Sequence, residues 1–442
     1  MPDVLQTPGS RIRPRAALPV PAAVILLCAM VLFGLEPAAA RAWAGPVDTL
    51  QFEPVEPAAQ DLEDRSRESS REERLRRSWL SVAFHEHLLE GRHQGPFGHD
   101  LKDFEVELDY NRVDEVRLGL TSQVQGTWAF SPRFATRLEY ATGRRRWLYG
   151  AQLEQPLERG NRLALGVSML RATDHLDLNQ VDDFENSLAL LFGRQDYRDY
   201  FEREGADAYL AARWPGVTTA SAHVRADRYR SLPGLDVNSW SHGDRTLRPN
   251  PPIAEGDLNA FAVRLEQHAR RAGGFYHWVE FETAGGGLGG DFDYRRAVAD
   301  LRSVIRLSPA TSLTLRAVGG SALGGTLPPQ RAFTIGGVDG LRAHSFGAFR
   351  GDQVALGQAE YSVGFGRRRR GAFDGFHAIV FADAGNAWSS PGHDWNVGRQ
   401  RFDLDGGFGL GTAEDNLRVY FARDLRQPES DFVISARLTR PF

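Results

Sequence analysis

One arginine stands in a glycine-rich stretch of the chain, and two acidic residues follow it. Arg342 precedes Glu360 and Asp383. The glycines around the arginine are Gly336, Gly337, Gly340, Gly347 and Gly351. A guanidinium presents a planar fork of donors that can bridge two carboxylates in a fixed geometry. The residue types therefore predict an ion-pair site in which a tight loop holds Arg342 against Glu360 and Asp383.

The pattern around each acid predicts which face of a strand it occupies. Residues 354–365 alternate so that Glu360 lies opposite an apolar face, and residues 375–385 place Asp383 opposite a face of small apolar residues. Side chains of a strand point alternately to its two faces. Both acids are therefore expected on the same inner face of two neighbouring strands, with Arg342 reaching them from the preceding loop.

Alternation of this kind runs through the chain from about residue 104 to its end. It gives about fifteen strand candidates, whereas a closed single-chain barrel has an even number of strands. The missing strand is expected at 104–110 or within 186–192. The stretch 186–201 has a pattern that is equally compatible with a helix.

Long strands with one apolar face favour an all-β transmembrane antiparallel β-barrel. In such a barrel the apolar face meets lipid and the polar face lines the lumen. A soluble all-β sandwich also alternates, but it rarely needs so many long strands in one row. The barrel is the favoured fold class, and the soluble fold is its alternative.

Three regions are expected along the chain. Residues 1–44 have the basic, apolar and small-residue parts of a secretory signal peptide, with Ala42-Trp43-Ala44 as a cleavage site and Ala38-Ala39-Ala40 as a second candidate. The apolar run is short for a membrane span, which needs roughly 20 residues. Residues 45–103 are rich in charge and predict a short periplasmic segment, flexible or partly helical. Residues 104–442 form the predicted barrel.

Composition narrows the possible partners. The net charge of −4 argues against nucleic acid as the main partner. The single cysteine, Cys28, lies in the predicted leader, which excludes disulfides and thiolate metal sites from the mature chain. Four histidines lie close together at His85, His87, His93 and His99. Their spacing fits no standard metal site, so neither a metal nor a cofactor is expected.

The last strand ends on an aromatic residue. Phe442 closes an amphipathic segment that begins near residue 431. An aromatic ring is favoured at a membrane interface. A terminal phenylalanine is also the general signal by which outer-membrane proteins are recognised for assembly, so Phe442 is the predicted assembly signal.

Several of these motifs together resemble the BamA/TamA superfamily of outer-membrane assembly factors, which includes the two-partner secretion transporters. The matching segments are Gly336–His344, Arg350-Gly351-Asp352, Glu360-Tyr361, Phe381–Gly385 with Trp388, and Phe442. The resemblance covers about 105–442 and is most specific in 333–388.

The resemblance implies a sixteen-stranded barrel with the glycine-rich loop folded in between strands 11 and 12. It implies that Arg342 latches this loop to Glu360 and Asp383 on the lumenal wall. The family usually has glycine and an aromatic residue after the arginine, whereas Ala343 and His344 follow it here. The segment before the barrel is too short for a periplasmic POTRA module, so the chain resembles a reduced branch without these modules.

The resemblance also implies location and role: the outer membrane of a Gram-negative bacterium, and assembly of outer-membrane proteins, translocation of polypeptides or handling of lipid. Expected partners are lipid, unfolded outer-membrane or exported polypeptides, and a separate periplasmic protein. The alternative is a passive solute pore or surface scaffold. His344 or His377 could be imagined as a catalytic base, but the chain has no Gly-x-Ser-x-Gly elbow, so no enzyme is expected.

Overall fold

The computed structural model describes residues 103–438. Gaps fall at 126–129, 160–161, 177, 179–180, 215–217, 239, 241–245, 268–274, 366–375, 413–416 and 428. The predicted signal peptide, nearly all of the predicted segment 45–103, and Phe442 lie outside the described residues. The predictions for these parts of the chain therefore stay predictions.

The described chain is all-β, as predicted, with one α-helix. The strands are β1 Asp103–Asn111, β2 Glu115–Gln125, β3 Arg133–Ala141, β4 Arg146–Pro156, β5 Leu163–His175, β6 Tyr200–Trp214, β7 Thr218–Ser231, β8 Gly256–Gln267, β9 Phe275–Ala284, β10 Tyr294–Ser308, β11 Thr311–Gly325, β12 Phe333–Ile335, β13 Phe349–Gly351, β14 Gln353–Gly364, β15 Phe376–Trp388, β16 Asp403–Thr412, β17 Arg418–Asp424 and β18 Val433–Arg437. All except β12 and β13 form one sixteen-stranded antiparallel sheet in chain order, and β12 pairs with β13.

The two faces of this sheet have the reverse of the polarity found in a soluble protein. On β3, Phe134 and Leu138 are 46% and 50% exposed, whereas the alternating residues Arg137 and Glu139 are buried. The same alternation continues on β4 and β5. The apolar face of the sheet is thus open, and its charged face is covered.

The strand missing from the sequence pattern is β1, which begins at Asp103. The other possible position, 186–192, is helical instead, and the helix α1 spans Asp183–Gly193. Asp182 caps this helix by accepting a hydrogen bond from the Phe184 N–H. Arg194 has φ 50° at the other end, a left-handed conformation that stops the helix. Among the described residues, none forms a helix long and apolar enough to span a membrane.

The longest connections follow odd-numbered strands and therefore lie at one end of the antiparallel sheet. The connection between β11 and β14 covers residues 326–352 and contains the β12–β13 hairpin. Its apolar residues enter a buried cluster with the first part of β14. This cluster includes Phe333, Ile335, Leu341, Val354 and Leu356. The cluster fixes the glycine-rich loop against the charged face of the sheet.

The sheet ends at β1 on one side and at β18 on the other. No pairing joins these two strands among the residues that the structure describes. Each therefore has one edge that is not used in strand pairing.

Candidate functional site

The structure brings together the three residues that the sequence predicts as a latch. Arg342 lies 3.1 Å through Nη1 from Glu360 Oε2 and 3.1 Å through Nε from Asp383 Oδ2. Its Nη2 also donates to Asp383 Oδ1 at 3.3 Å. Glu360 on β14 and Asp383 on β15 both lie on the buried face, and Arg342 is only 2% exposed. The guanidinium thus bridges two strands of the sheet.

Two aromatic rings enclose the same guanidinium. The Cζ atom of Arg342 lies 4.1 Å from the ring centroid of Phe381 and 4.6 Å from that of Tyr420. A cation is attracted to the face of an aromatic ring, most strongly where water is excluded. The Tyr420 hydroxyl also donates to Glu360 Oε2 at 3.0 Å, and Arg418 pairs with the other carboxylate oxygen of Glu360. Glu360 is therefore bound from three sides.

Side chains from neighbouring strands hold the backbone of the loop. Gln358 donates to the Gly340 carbonyl at 2.8 Å and to Asp383 Oδ1 at 3.2 Å. The Ala343 N–H donates to Asp405 Oδ2 at 2.6 Å, and His344 Nδ1 lies 3.1 Å from Asp405 Oδ1. The two residues that depart from the family pattern are thus both in contact with Asp405.

The two acidic partners of Arg342 favour the charged form of its guanidinium. Burial disfavours a charged guanidinium, but the carboxylates of Asp383 and Glu360 outweigh this effect and raise the pKa of Arg342. Arg342 therefore stays charged in the folded protein. Removing one member of such a buried group leaves an uncompensated charge, which costs about 3–5 kcal/mol.

The loop glycines meet two different demands of the backbone. Gly336 and Gly337 have φ of +118° and +81°, a region that side chains other than glycine rarely adopt. Gly351 has ordinary backbone angles, but a Cβ there would lie 2.1 Å from the Trp388 carbonyl oxygen. A Cβ on Gly340 would lie 2.7 Å from the Gly336 nitrogen. These four glycines let the loop turn tightly and lie close to β15.

Sequence reasoning missed the outer part of this site. Arg418 and Tyr420 occupy alternate buried positions of β17, and Asp405 is buried on β16. The alternation on these strands could have indicated that all three share the face of Glu360. Register between neighbouring strands then decides which of them touch Arg342, and the sequence pattern does not contain that register.

The last strand also reaches the loop. Arg437 on β18 lies 3.4 Å from Asp339 Oδ1 and 3.4 Å from the Val338 carbonyl. From β11, Arg316 donates to the Asp339 carbonyl at 2.9 Å. Asp339 therefore joins the loop to two strands on either side of the latch.

A second cluster has the connectivity of a catalytic triad. Ser221 Oγ lies 2.8 Å from His223 Nε2, and His223 Nδ1 lies 3.0 Å from Asp207 Oδ2. Strand β7 is paired on both sides, so its backbone N–H groups are used in the sheet and do not form an oxyanion hole. The cavity beside Asp207 and His223 holds about 20 Å³, room for about one water molecule. We therefore interpret this cluster as a structural hydrogen-bond network of the sheet.

The predictions of an absent metal and an absent cofactor concern the chain as a whole and stay predictions. In the part that the structure describes, no group of three or more His, Cys, Asp or Glu side chains is arranged to hold a metal ion. His344 is bound to Asp405, and His377 is buried on β15.

Comparisons with known proteins concern the family and the fold. Residues 272–424 match the Omp85 superfamily domain, which covers the latch and its glycine-rich loop. Among curated proteins, none has a significant match to the sequence.

Solved structures of similar fold include BamA from Haemophilus ducreyi lacking POTRA domains 1–3, with 10% identity and a TM-score of 0.51 over 83% of this chain and 81% of that chain. CdiB from Acinetobacter baumannii has 14% identity and a TM-score of 0.40, covering 76% of this chain and 58% of that chain. CdiB from Escherichia coli has 10% identity and a TM-score of 0.44, covering 78% and 63%. At these identities the BamA likeness concerns the fold alone. The match at residues 272–424 confirms the resemblance found in the sequence: the chain carries an Omp85 superfamily domain.

Proposed function

We propose that this protein is an outer-membrane β-barrel of a Gram-negative bacterium that inserts or exports polypeptides or moves lipid. The observation that carries the proposal is the reversed polarity of the sixteen-stranded sheet. Leu118, Leu120 and Trp147 are more than half exposed, whereas charged residues such as Arg117 and Glu139 are buried. An apolar outer face is stable against lipid, and a charged inner face is stable around a polar lumen.

In this proposal the sheet closes into a barrel within the membrane. Unpaired backbone groups are costly in hydrocarbon, so an open sheet is not stable there. The even number of strands fits closure. The loop 326–352 then lies inside the lumen, and Arg342 holds it to the wall through Glu360 and Asp383.

The activity would reside at the junction of β1 and β18. A junction whose strands are weakly paired offers edge N–H and C=O groups on which another strand can form. The Omp85 superfamily domain supports this role in general terms. The partners proposed are unfolded outer-membrane or exported polypeptides, lipid, and a separate periplasmic protein. No enzymatic activity, cofactor or nucleic-acid partner is part of the proposal.

The test is depletion of the protein followed by quantification of the outer-membrane proteome. We expect barrel proteins or exported polypeptides to fall, and a plasmid copy of the natural sequence to restore them. A plasmid copy with Arg350→Ala, a change at an exposed loop arginine, should restore them equally. Unchanged levels, together with steady conductance in planar bilayers, would contradict the assembly role and support a passive pore or scaffold.

A further inference from the structure

The helix α1 also has reversed polarity. Asp183, Glu185 and Ser187 are buried on one side, whereas Phe184 and Phe192 are 54% and 52% exposed on the other. A helix packed on an apolar core would turn its aromatic residues inward. The helix buries Leu190 and several polar side chains, and it leaves its aromatic side open.

The first contact of α1 is with the edge of the first strand. The Tyr110 backbone N–H donates to Ser187 Oγ at 2.9 Å, and Ser187 donates to Asp109 Oδ1 at 2.7 Å. In the described chain β1 pairs only with β2. Ser187 thus satisfies a backbone donor of β1 with a side-chain oxygen, at a strand that has only one strand neighbour.

The second contact of α1 is with the last strand. Glu185 Oε1 lies 2.6 Å from Arg437 Nε on β18, and both side chains are almost fully buried. Asp183 pairs with Arg117 on β2 at 3.4 Å. A single helical turn therefore contacts both ends of the sixteen-stranded sheet.

The open side of α1 and the outer face of β1 both contact the chain near Asn238 and Trp240. The Tyr110 hydroxyl donates to the Asn238 carbonyl at 2.6 Å, and the Trp240 N–H donates to the Leu191 carbonyl at 2.8 Å. The ring of Trp240, which is 70% exposed, lies 5.2 Å from that of Phe192. Outward residues of β1 are similarly open; Val106 and Leu108 are 69% and 68% exposed. The aromatic side of α1 and the outer face of β1 are therefore both apolar and open.

We propose that α1 is a displaceable seal over the junction of β1 and β18, bound to both strands by its polar side and facing membrane lipid with Phe184, Phe192 and Trp240. The inference rests on the proposed membrane barrel, but it does not depend on which substrate the barrel handles. A tryptophan in this surface suits the membrane interface, where its ring is half apolar and its N–H is polar. At Tyr110, the backbone N–H of β1 can pair with another strand only after α1 leaves.

The seal is also connected to the glycine-rich loop. Arg437 contacts Glu185 of α1 and Asp339 of the loop at the same time. A change in the position of the loop would therefore alter the binding of α1 to β18. This gives the Arg342 loop a physical route to the junction.

A tether between α1 and β1 tests whether the helix must move. We would combine Asp109→Cys with Ser187→Cys in a chain carrying Cys28→Ser, and fold it in lipid nanodiscs. The two side chains are in contact, and a disulfide can form only between neighbouring residues. Hydrogen exchange is then measured at residues 103–111 in the oxidised and reduced states. The matched control joins Ala208→Cys to Val224→Cys, which are register partners on β6 and β7.

We expect oxidation of the α1–β1 pair to slow amide exchange of β1 by at least about tenfold, and reduction to reverse it. The control pair should leave β1 unchanged. If the disulfide forms without any change in β1 exchange, α1 does not govern this edge. If the folded protein forms no disulfide, α1 does not lie at β1, and the proposal is overturned in either case.

A fluorescent label tests the lipid-facing side. Bimane attached at Phe192→Cys should be quenched by nitroxide lipids, whereas bimane at Asp236→Cys, on a side chain 86% exposed, should respond only to an aqueous quencher. Equal aqueous quenching at both positions would overturn the assignment of lipid as the partner of this face. Neither readout uses assembly activity, so this proposal and the proposed function can fail separately.

Discussion

Arg342 and Glu360 join a glycine-rich loop to the wall of the sheet through an ion pair of 3.1 Å in which both residues are nearly inaccessible to water. The sheet would otherwise have to bury two carboxylates, Glu360 and Asp383, near each other. Buried ion pairs add little net stability compared with apolar packing, but losing one partner is expensive. The relationship therefore specifies where the loop lies.

Replacing the arginine of the latch should destabilise the folded protein. We expect Arg342→Ala to lower the free energy of unfolding by about 3–5 kcal/mol, because Asp383 loses its cationic partner in a buried position. Arg342→Lys should recover only part of this loss, since an ammonium group cannot bridge two carboxylates as a fork. Urea titration of protein refolded in detergent, followed by tryptophan fluorescence, measures both changes.

The matched control is Arg350→Ala, which removes an exposed arginine of the same loop that donates to the Pro329 carbonyl. Its effect should stay within about 1 kcal/mol. Equal stabilities for Arg342→Ala and Arg350→Ala would mean that the latch does not hold the loop.

Tyr420 should contribute more through its ring than through its hydroxyl. Tyr420→Phe removes the hydrogen bond to Glu360 but keeps the ring beside Arg342, and we expect a loss of about 1 kcal/mol. Tyr420→Ala also removes the ring and leaves a cavity, with an expected loss of about 3–5 kcal/mol. The same urea titration separates the two, and a larger effect for Tyr420→Phe than for Tyr420→Ala would contradict this order.

Gly351 should be intolerant of a side chain although its backbone angles are ordinary. In Gly351→Ala the new Cβ would lie 2.1 Å from the Trp388 carbonyl oxygen, so the β12–β13 hairpin must move away from β15. We expect faster proteolysis of the loop and a loss of about 1–3 kcal/mol. Gly398→Ala is the control, because nothing lies within 4 Å of its Cβ position. Equal protease resistance of the two variants would rule out close packing at Gly351.

The attachment of α1 should weaken in strong acid. Burial disfavours ionisation of Asp183, but the guanidinium groups of Arg198 and Arg117 outweigh it and lower the pKa of Asp183 to about 2. A carboxyl whose folded pKa is depressed stabilises the fold above its unfolded pKa, and this contribution is lost as pH falls through the folded pKa. The loss is therefore expected between about pH 4 and pH 2.

Asp183→Asn measures this contribution directly. Near neutral pH the variant should be less stable than the natural sequence by about 2 kcal/mol, and the difference should shrink as pH falls from about 4 to about 2. The control Asp236→Asn changes an exposed carboxylate and should show a small difference at every pH. If the difference in stability between Asp183→Asn and the natural sequence did not change with pH, the ionised carboxylate of Asp183 would not be its cause.

The sequence predicts much of this fold because apolar and polar residues alternate along each strand. The faces of Glu360 and Asp383 follow from alternation on their own strands, and the structure has both on the buried face. The contact of Tyr420 with Glu360 depends on how β14 to β17 are staggered. That register is set by many backbone hydrogen bonds together and is not visible in any one strand.

The helix α1 is a second feature that the sequence pattern alone does not predict. A helix and a strand were both compatible with residues 186–192 because the segment is short and apolar. Tertiary contacts decide the outcome: Glu185 and Ser187 are bound by β18 and β1, residues that are far away in the chain. The local sequence pattern does not indicate contacts with residues so distant in the chain.

The central claim is that the sheet turns its apolar face to lipid and its charged face inward, and one measurement tests it most directly. Single cysteines at each position of 134–140 on β3, labelled with bimane in reconstituted membranes, would be exposed in turn to nitroxide lipids. We predict strong quenching at Phe134, Thr136 and Leu138 and weak quenching at Arg137 and Glu139, following the burial pattern of β3. Quenching by nitroxide lipids that shows no alternation along β3 would contradict the account.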